Sequence, residues 1–243
     1  VLVAFHLFRD IKDNSMTGKK ADSLLKTLGY KFKNPELLAQ ALTHSSWSNE
    51  HPGEPCNERL EFLGDAVLGI VIAEILFEHF GQWDEGKLTA GKSYLVGKEN
   101  LEKIAMELNL FDYLNLGEGE KRCFIRSKNS LSADAFEALI GAIFLDGGID
   151  SARKILKKLF GKYIAFFEKE GIPVDPKSRL QEISLQRYGK LPVYKMSEET
   201  GPDHAKEFVY SVKMPDGTIS EGRGRTKKEA QRNAAENLLR KLE

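Results

Sequence analysis

From Ala21 to about Lys169 the apolar residues recur at helical spacing and nowhere alternate, so this part of the chain reads as a packed set of helices. The periodic runs cover residues 23–29, 35–47, 58–80, 88–110, 133–146 and 150–170. Asn34-Pro35 and Asp150-Ser151 have the chemistry of helix starts, and Gly29, Gly81 and Gly147-Gly148 that of stops. Residues 171–176, with Pro173 and Pro176, then interrupt the pattern as a linker would. Beyond them the order changes. A short helix over 177–188 is followed by strands at Val193–Glu199, Glu207–Met214 and Thr218–Glu221, the last two joined by a Pro-Asp-Gly turn, and by a helix over Thr226–Leu242. The expected architecture is an all-α domain (21–170), a linker (171–176) and a small α+β domain of order α-β-β-β-α (177–243). Residues 1–20 are expected to be a poorly defined N-terminal extension, since Met16 stands just before the first regular pattern.

Charge says little about partners. Lys+Arg and Asp+Glu balance at 36 each, with only a local excess of three positive charges from Asp175 onward, so a polyanion would have to be held by placed residues. Cys56 and Cys123 are the only thiols, too few for a disulfide framework or a zinc site, and fit a reducing cytoplasm. The longest apolar stretch, Ala66–Phe77, contains Glu74 and is too short to span a membrane; the apolar opening residues lack a basic leader and a small-residue cleavage site.

Glu58, Glu61 and Asp65 share an arc of roughly 60° on one helix. An acidic arc is usually a solvated face. This helix, however, is apolar nearly all round beyond Asp65, and Leu68 and Ile72 lie close to the acids' own arc, which predicts burial. Carboxylates crowded into a partly buried space repel and lose hydration unless a cation neutralises them. Asp134 and Glu137 form a second pair ahead of another apolar run. Alone, that pair also reads as a helix-start capping box. Oxygen-only donors without His or Cys suit a hard ion, Mg²⁺ or Mn²⁺ rather than Zn²⁺, and the chemistry such an ion serves is attack of water on a phosphodiester. His44 reads as a structural hydrogen-bonder rather than a base, and Phe62, Leu63, Leu68 and Phe144 as packing.

In the closing helix, Thr226 is placed as N-cap with Glu229 completing a capping box. Lys227 and Lys228 then occupy the first turn, where the macrodipole disfavours cations. Cations beside the unsatisfied N–H groups of a helix start make sense when the partner is phosphate. Arg223 and Arg225 add charge, and Gly222 and Gly224 allow close approach of backbone.

The run from Asn57 to Ala66 resembles the signature motif of the ribonuclease III family. Leu42–Ser46 and Ala133–Ala142 resemble its flanking blocks, in order. That resemblance implies metal ligation by Glu61, Asp134 and Glu137, joined by Asp65, with Asp65 and Glu137 as the catalytic carboxylates and Glu58 in the same acidic cluster. It also implies a homodimer whose signature helix packs across a two-fold axis. Ser132 departs from the family's bulkier apolar residue. The C-terminal segment resembles a double-stranded-RNA-binding domain, a fold that reads duplex RNA by shape. The resemblance puts Gln181 and Glu182 at one minor groove, the loop carrying His204 at the next, and Lys227 and Lys228, flanked by Arg223, Arg225 and Thr226, at the phosphates between. Leu185 and Ala205 replace residues that are commonly polar and basic there.

The implied function is endonucleolytic cleavage of double-stranded RNA with Mg²⁺, leaving 5′-phosphate and 3′-hydroxyl ends, in the processing of precursor ribosomal RNA and structured messages. The rival reading is a non-catalytic RNA-binding scaffold. A scaffold is expected to have lost one or more of the acids, and this chain retains them all.

Overall fold

A computed structural model describes residues 15–122, 124–202 and 206–242. The chain divides into two compact units, parted between Ile172 and Pro173.

The first unit is helical: α1 (Ser15–Leu28), α2 (Pro35–Ala41), α3 (Ser45–Glu50), α4 (Glu58–His79), α5 (Glu85–Val96), α6 (Lys98–Glu107), α7 (Glu118–Arg122) and α8 (Phe124–Glu170). Helix α1 starts ahead of Ala21, the expected beginning of the domain. Two periodic runs each break into two helices. The run over 35–47 breaks because His44 is extended and its Nδ1 accepts from the N–H of Ser46 at 3.2 Å, capping α3. The run over 88–110 breaks at Gly97, where buried Asn100 donates through Nδ2 to the carbonyl of Leu95 at 2.9 Å and pins the α5–α6 corner. Helix α8 does not start near Ala133 but at Phe124, and it bends at Gly148, whose φ of 75° lies outside the helical region. Asp134 and Glu137 are therefore mid-helix residues, and the capping explanation for them falls away.

Helix α4 packs along α8 through Leu60, Val67, Leu68, Val71, Ile72 and Leu76, which form one core with Phe136, Leu139, Ile140 and Ile143. Asp146 ties the α2 entrance to α8, accepting from the Tyr30 hydroxyl at 2.6 Å and from the backbone N–H of Asn34 at 2.8 Å. Farther along, the Arg153 guanidinium meets Glu74 of α4 at 2.6 Å. The expectation that α4 is buried all round is corrected here. Phe62, Ile70 and Phe77 are 82%, 64% and 72% exposed in the single chain. With Ala66 and Ala73 they form an apolar stripe at helical spacing along the side away from α8. Phe62 is thus not a core residue of the chain by itself.

The second unit comprises α9 (Pro176–Tyr188), β1 (Val193–Thr200), β2 (Glu207–Lys213), β3 (Ile219–Gly224) and α10 (Lys227–Leu242). Its antiparallel sheet has the order β1-β2-β3. Both helices join it in one core of Leu180, Val212, Met214, Ala234, Ala235 and Leu238. Strand β3 runs on past Glu221 through the Gly-Arg-Gly segment because α10 lies directly on it. A Cβ at Gly222 would stand 2.0 Å from the backbone nitrogen of Ala234. The close approach those glycines permit is that of α10, not of a nucleic-acid backbone. Asn233, Asn237 and Lys241 of α10 donate to the carbonyls of Arg223, Glu221 and Ile219 at 2.7, 2.9 and 3.0 Å, covering the open edge of β3.

Candidate metal centre and RNA-facing surface

The position of the carboxylates follows from how closely two backbones meet. Gly64 of α4 and Gly141 of α8 face each other's helices. A Cβ built at Gly64 would fall 1.8 Å from the carbonyl oxygen of Glu137, and one at Gly141 would fall 2.3 Å from that of Leu60. No side chain fits there, so the helices touch main chain to main chain. Glu61 lies one turn before Gly64, and Glu137 one turn before Gly141. The start of α4 is fixed separately: Asn57 is 2% exposed and its N–H donates to the carbonyl of Thr43 at 2.8 Å. The sequence reading passes over Gly64 and Gly141. The available signal is that glycine in a helix interior costs about 1 kcal/mol against alanine and so needs a reason.

Across this crossing, carboxylate oxygens of Glu61, Asp134 and Glu137 all lie within 4.8 Å of one another, each on a half-buried residue. The Glu137 carboxyl is pushed up to about 7, by burial first and then by the charges of Asp65, Glu61 and Asp134. The Glu61 carboxyl is raised as well, by burial and then by Asp134 and Glu58. A group so crowded is electrostatically unsatisfied in its ionised form. Three convergent anionic oxygens, with no nitrogen or sulfur among them, match a hard divalent cation in number and kind.

Asp65 is exposed and stands outside the trio, although its charge is the largest one felt by Glu137. Glu58 is also exposed, and its charge is felt by Glu61. Lys98, at the start of α6, is the cation whose charge opposes these effects at both Glu61 and Glu137.

In the second unit, Gln181 is half-buried and Glu182 exposed on α9, while Arg223, Arg225, Thr226, Lys227 and Lys228 are exposed around the start of α10. The Thr226 hydroxyl accepts from the N–H of Glu229 at 3.1 Å, as a cap should. The Glu229 carboxylate returns to the N–H of Arg225 at 2.8 Å, one residue earlier than a capping box requires. The Lys227 ammonium lies 5.7 Å from the centre of the Phe208 ring. The Arg223 guanidinium lies 3.9 Å from the Glu207 carboxylate, a long contact. Helix α9 packs on α10 in the shared core, so Gln181 and Lys227 belong to neighbouring helices on one side of the sheet. His204 lies outside the described residues.

Comparison with known proteins finds the same two parts. A Ribonuclease-III-like family model matches residues 34–163, and the double-stranded RNA binding motif matches residues 176–242. Ribonuclease 3 of Syntrophobacter fumaroxidans is 44% identical over 224 residues, which cover 90% of this chain and 93% of that protein. Ribonuclease 3 of Syntrophotalea carbinolica is 42% identical over 230 residues, covering 94% and 99%. Among solved structures, the nuclease domain of ribonuclease III from Campylobacter jejuni shares 41% identity at a TM-score of 0.54, covering 58% of this chain and 96% of that one. One structure of that domain is described for flexibility in a region involved in its dimer formation.

Proposed function

The chain belongs to the ribonuclease III family, and on that premise we propose that it is an endonuclease of double-stranded RNA working with Mg²⁺, for which Mn²⁺ can substitute. The observation that carries the reading is the convergence of Glu61, Asp134 and Glu137 within 4.8 Å on two helices. In this reading residues 21–170 cut, residues 177–243 hold the duplex, and 171–176 link them. Glu61, Asp134 and Glu137 hold the cation. Asp65, exposed beside them, orients the water that attacks the phosphodiester, and Glu58 keeps the rim acidic. A divalent ion bound there supplies Lewis-acid polarisation and neutralises the charge that builds on the phosphate. Hydrolysis leaves 5′-phosphate and 3′-hydroxyl ends, and the substrates expected are precursor ribosomal RNA and structured messages in the cytoplasm. Among the described residues no helix is long and apolar enough to cross a membrane.

The apolar stripe of α4 supports a homodimer. Ile70, Ala73 and Phe77 line, with Leu76 and Leu88, a groove of about 430 Å³ between α4 and α5. A second copy covering this face removes Phe62, Ile70 and Phe77 from water. Two cutting sites then face one duplex, each severing one strand.

Incubating the purified protein with a long, fully paired RNA and Mg²⁺ is expected to give short duplexes, and a chelated control is expected to leave the RNA whole. Intact RNA in both lanes, with a gel shift still present, would favour the scaffold reading.

The raised Glu137 carboxyl gives this site a definite pH dependence. Below about pH 7 the group holds a proton that the cation must displace. Mg²⁺ affinity is therefore expected to fall by up to about tenfold per pH unit below 7 and to level off above it. Titration calorimetry in two buffers of different ionisation enthalpy will read the proton release directly. For the metal-free protein the sign is opposite to that of a salt-bridged acid. The folded state binds this proton more tightly than the unfolded chain, so stability falls as pH rises from the ordinary carboxylate range through about 7.

A further inference from the structure

Lys98 has no place in the chemistry described so far, yet three features bring it to the carboxylates. Its ammonium donates to the hydroxyl of Ser130 at 2.5 Å. Ser130 precedes Asp134 by one helical turn and Glu137 by two, so that bond seats the ammonium along the face of α8 that carries both acids. The corner that presents Lys98 is firmly built. Gly97 leaves no room for a side chain, a Cβ there falling 2.8 Å from the carbonyl of Ser93, and Asn100, 3% exposed, ties α6 to the end of α5.

A structural role accounts poorly for this arrangement. Lys98 is exposed, and an exposed lysine–hydroxyl bond adds little stability against the entropy of ordering the long side chain. The ammonium is bonded to a neutral hydroxyl rather than to one of the carboxylates, so its charge faces the rim of the cluster. A phosphodiester arriving there meets Glu58, Glu61, Asp65, Asp134 and Glu137 together. A compact cation at that rim lowers the repulsion, and an ammonium that gives one N–H to Ser130 keeps its others for an oxygen.

We propose that Lys98 is a phosphate-contacting residue of the cleavage reaction: its ammonium, seated on Ser130, meets a non-bridging oxygen of the scissile phosphodiester and stabilises the charge that develops there. The proposal rests on the nuclease reading given above.

The test is single-turnover cleavage of one paired RNA by wild type, Lys98→Ala and Lys98→Arg across a Mg²⁺ titration, with gel-shift affinity and melting temperature measured on each. Lys98→Ala is expected to slow the cutting step about 10-fold to 100-fold at saturating Mg²⁺. Its RNA affinity and its melting temperature should stay near wild type, and its Mg²⁺ midpoint should not rise, since loss of a nearby cation favours the metal. Lys98→Arg, which keeps the charge, is expected to recover most of the rate. A Lys98→Ala rate within about twofold of wild type overturns the proposal, because a phosphate contact in the transition state is worth more than that. A slow variant fully rescued by higher Mg²⁺ also overturns it, since Lys98 would then only tune the affinity of the metal site. An inert wild type overturns the nuclease reading and this proposal together, whereas a cutting wild type matched by Lys98→Ala overturns the role of Lys98 alone.

Discussion

Glu137→Gln is expected to lower RNA cleavage by on the order of 10³-fold or more, the several kcal/mol that a metal-held charge contributes to a phosphodiester transition state. Gel-shift affinity for a long duplex should be unchanged, because the basic start of α10 belongs to the other compact unit. The same substitution separates chemistry from folding. Burial first, and then the charges of Asp65, Glu61 and Asp134, push the Glu137 carboxyl up to about 7. Above that pH its charge opposes folding of the metal-free protein, so the amide is expected to raise the melting temperature by on the order of a few degrees. Added Mg²⁺ should then stabilise the wild type and leave the variant unmoved. A variant that loses cleavage and also melts lower would mean that Glu137 holds the fold rather than the metal.

The second large effect sets two magnitudes against each other. By helix propensity alone, Gly64→Ala and Gly141→Ala should each stabilise by up to about 1 kcal/mol. The added Cβ, however, lands 1.8 Å from the Glu137 carbonyl oxygen in the first and 2.3 Å from the Leu60 carbonyl oxygen in the second, and neither backbone oxygen can rotate away. Overpacking of this kind costs about 1–3 kcal/mol or more and forces the helices apart. Net destabilisation is expected, larger at Gly64. Cleavage should fall at least about 100-fold, because small displacements of positioned groups cost that much. Gly161→Ala is the internal control. It lies in the same α8, exposed, with nothing within 4 Å of its Cβ, and should gain about 0.5–1 kcal/mol. Chemical denaturation of the three variants decides the matter. A stabilised Gly141→Ala would show that the helices are not held at main-chain contact.

Much of this was legible in the residues. Helical spacing marks the bundle, and the paired prolines with the change to strand chemistry mark the switch to a sheet. What escapes is what depends on a partner elsewhere in the chain. The capping pattern at Asp134 and Glu137 is a fair local reading. It fails because α8 is already helical from Phe124, ten residues before Asp134. The apolar run of α4 beyond Asp65 suggests burial on every side, whereas α4 buries one side against α8 and leaves Phe62, Ile70 and Phe77 in water. Gly64 and Gly141 look like mild helix defects until the two helices are crossed. Gly222 and Gly224 look like room for a ligand until α10 is laid on β3. The acids themselves needed no partner to be noticed, since carboxylates set against the apolar run that follows Asp65 are costly wherever that part of the helix is buried.

The crossing at Gly64 and Gly141 also has a consequence in time. The two glycines are 77 positions apart, so the contact closes a long loop and cannot form until the second helix exists. At bacterial and eukaryotic synthesis speeds, roughly 4–15 s separate the emergence of one from the other. Throughout that interval α4, which carries Phe62, Ile70 and Phe77 exposed on one side, also lacks α8 on the other. The nascent chain is then at its most adhesive, and slowing translation between Gly64 and Gly141 should increase its capture by chaperones, while the completed domain should be indifferent to them.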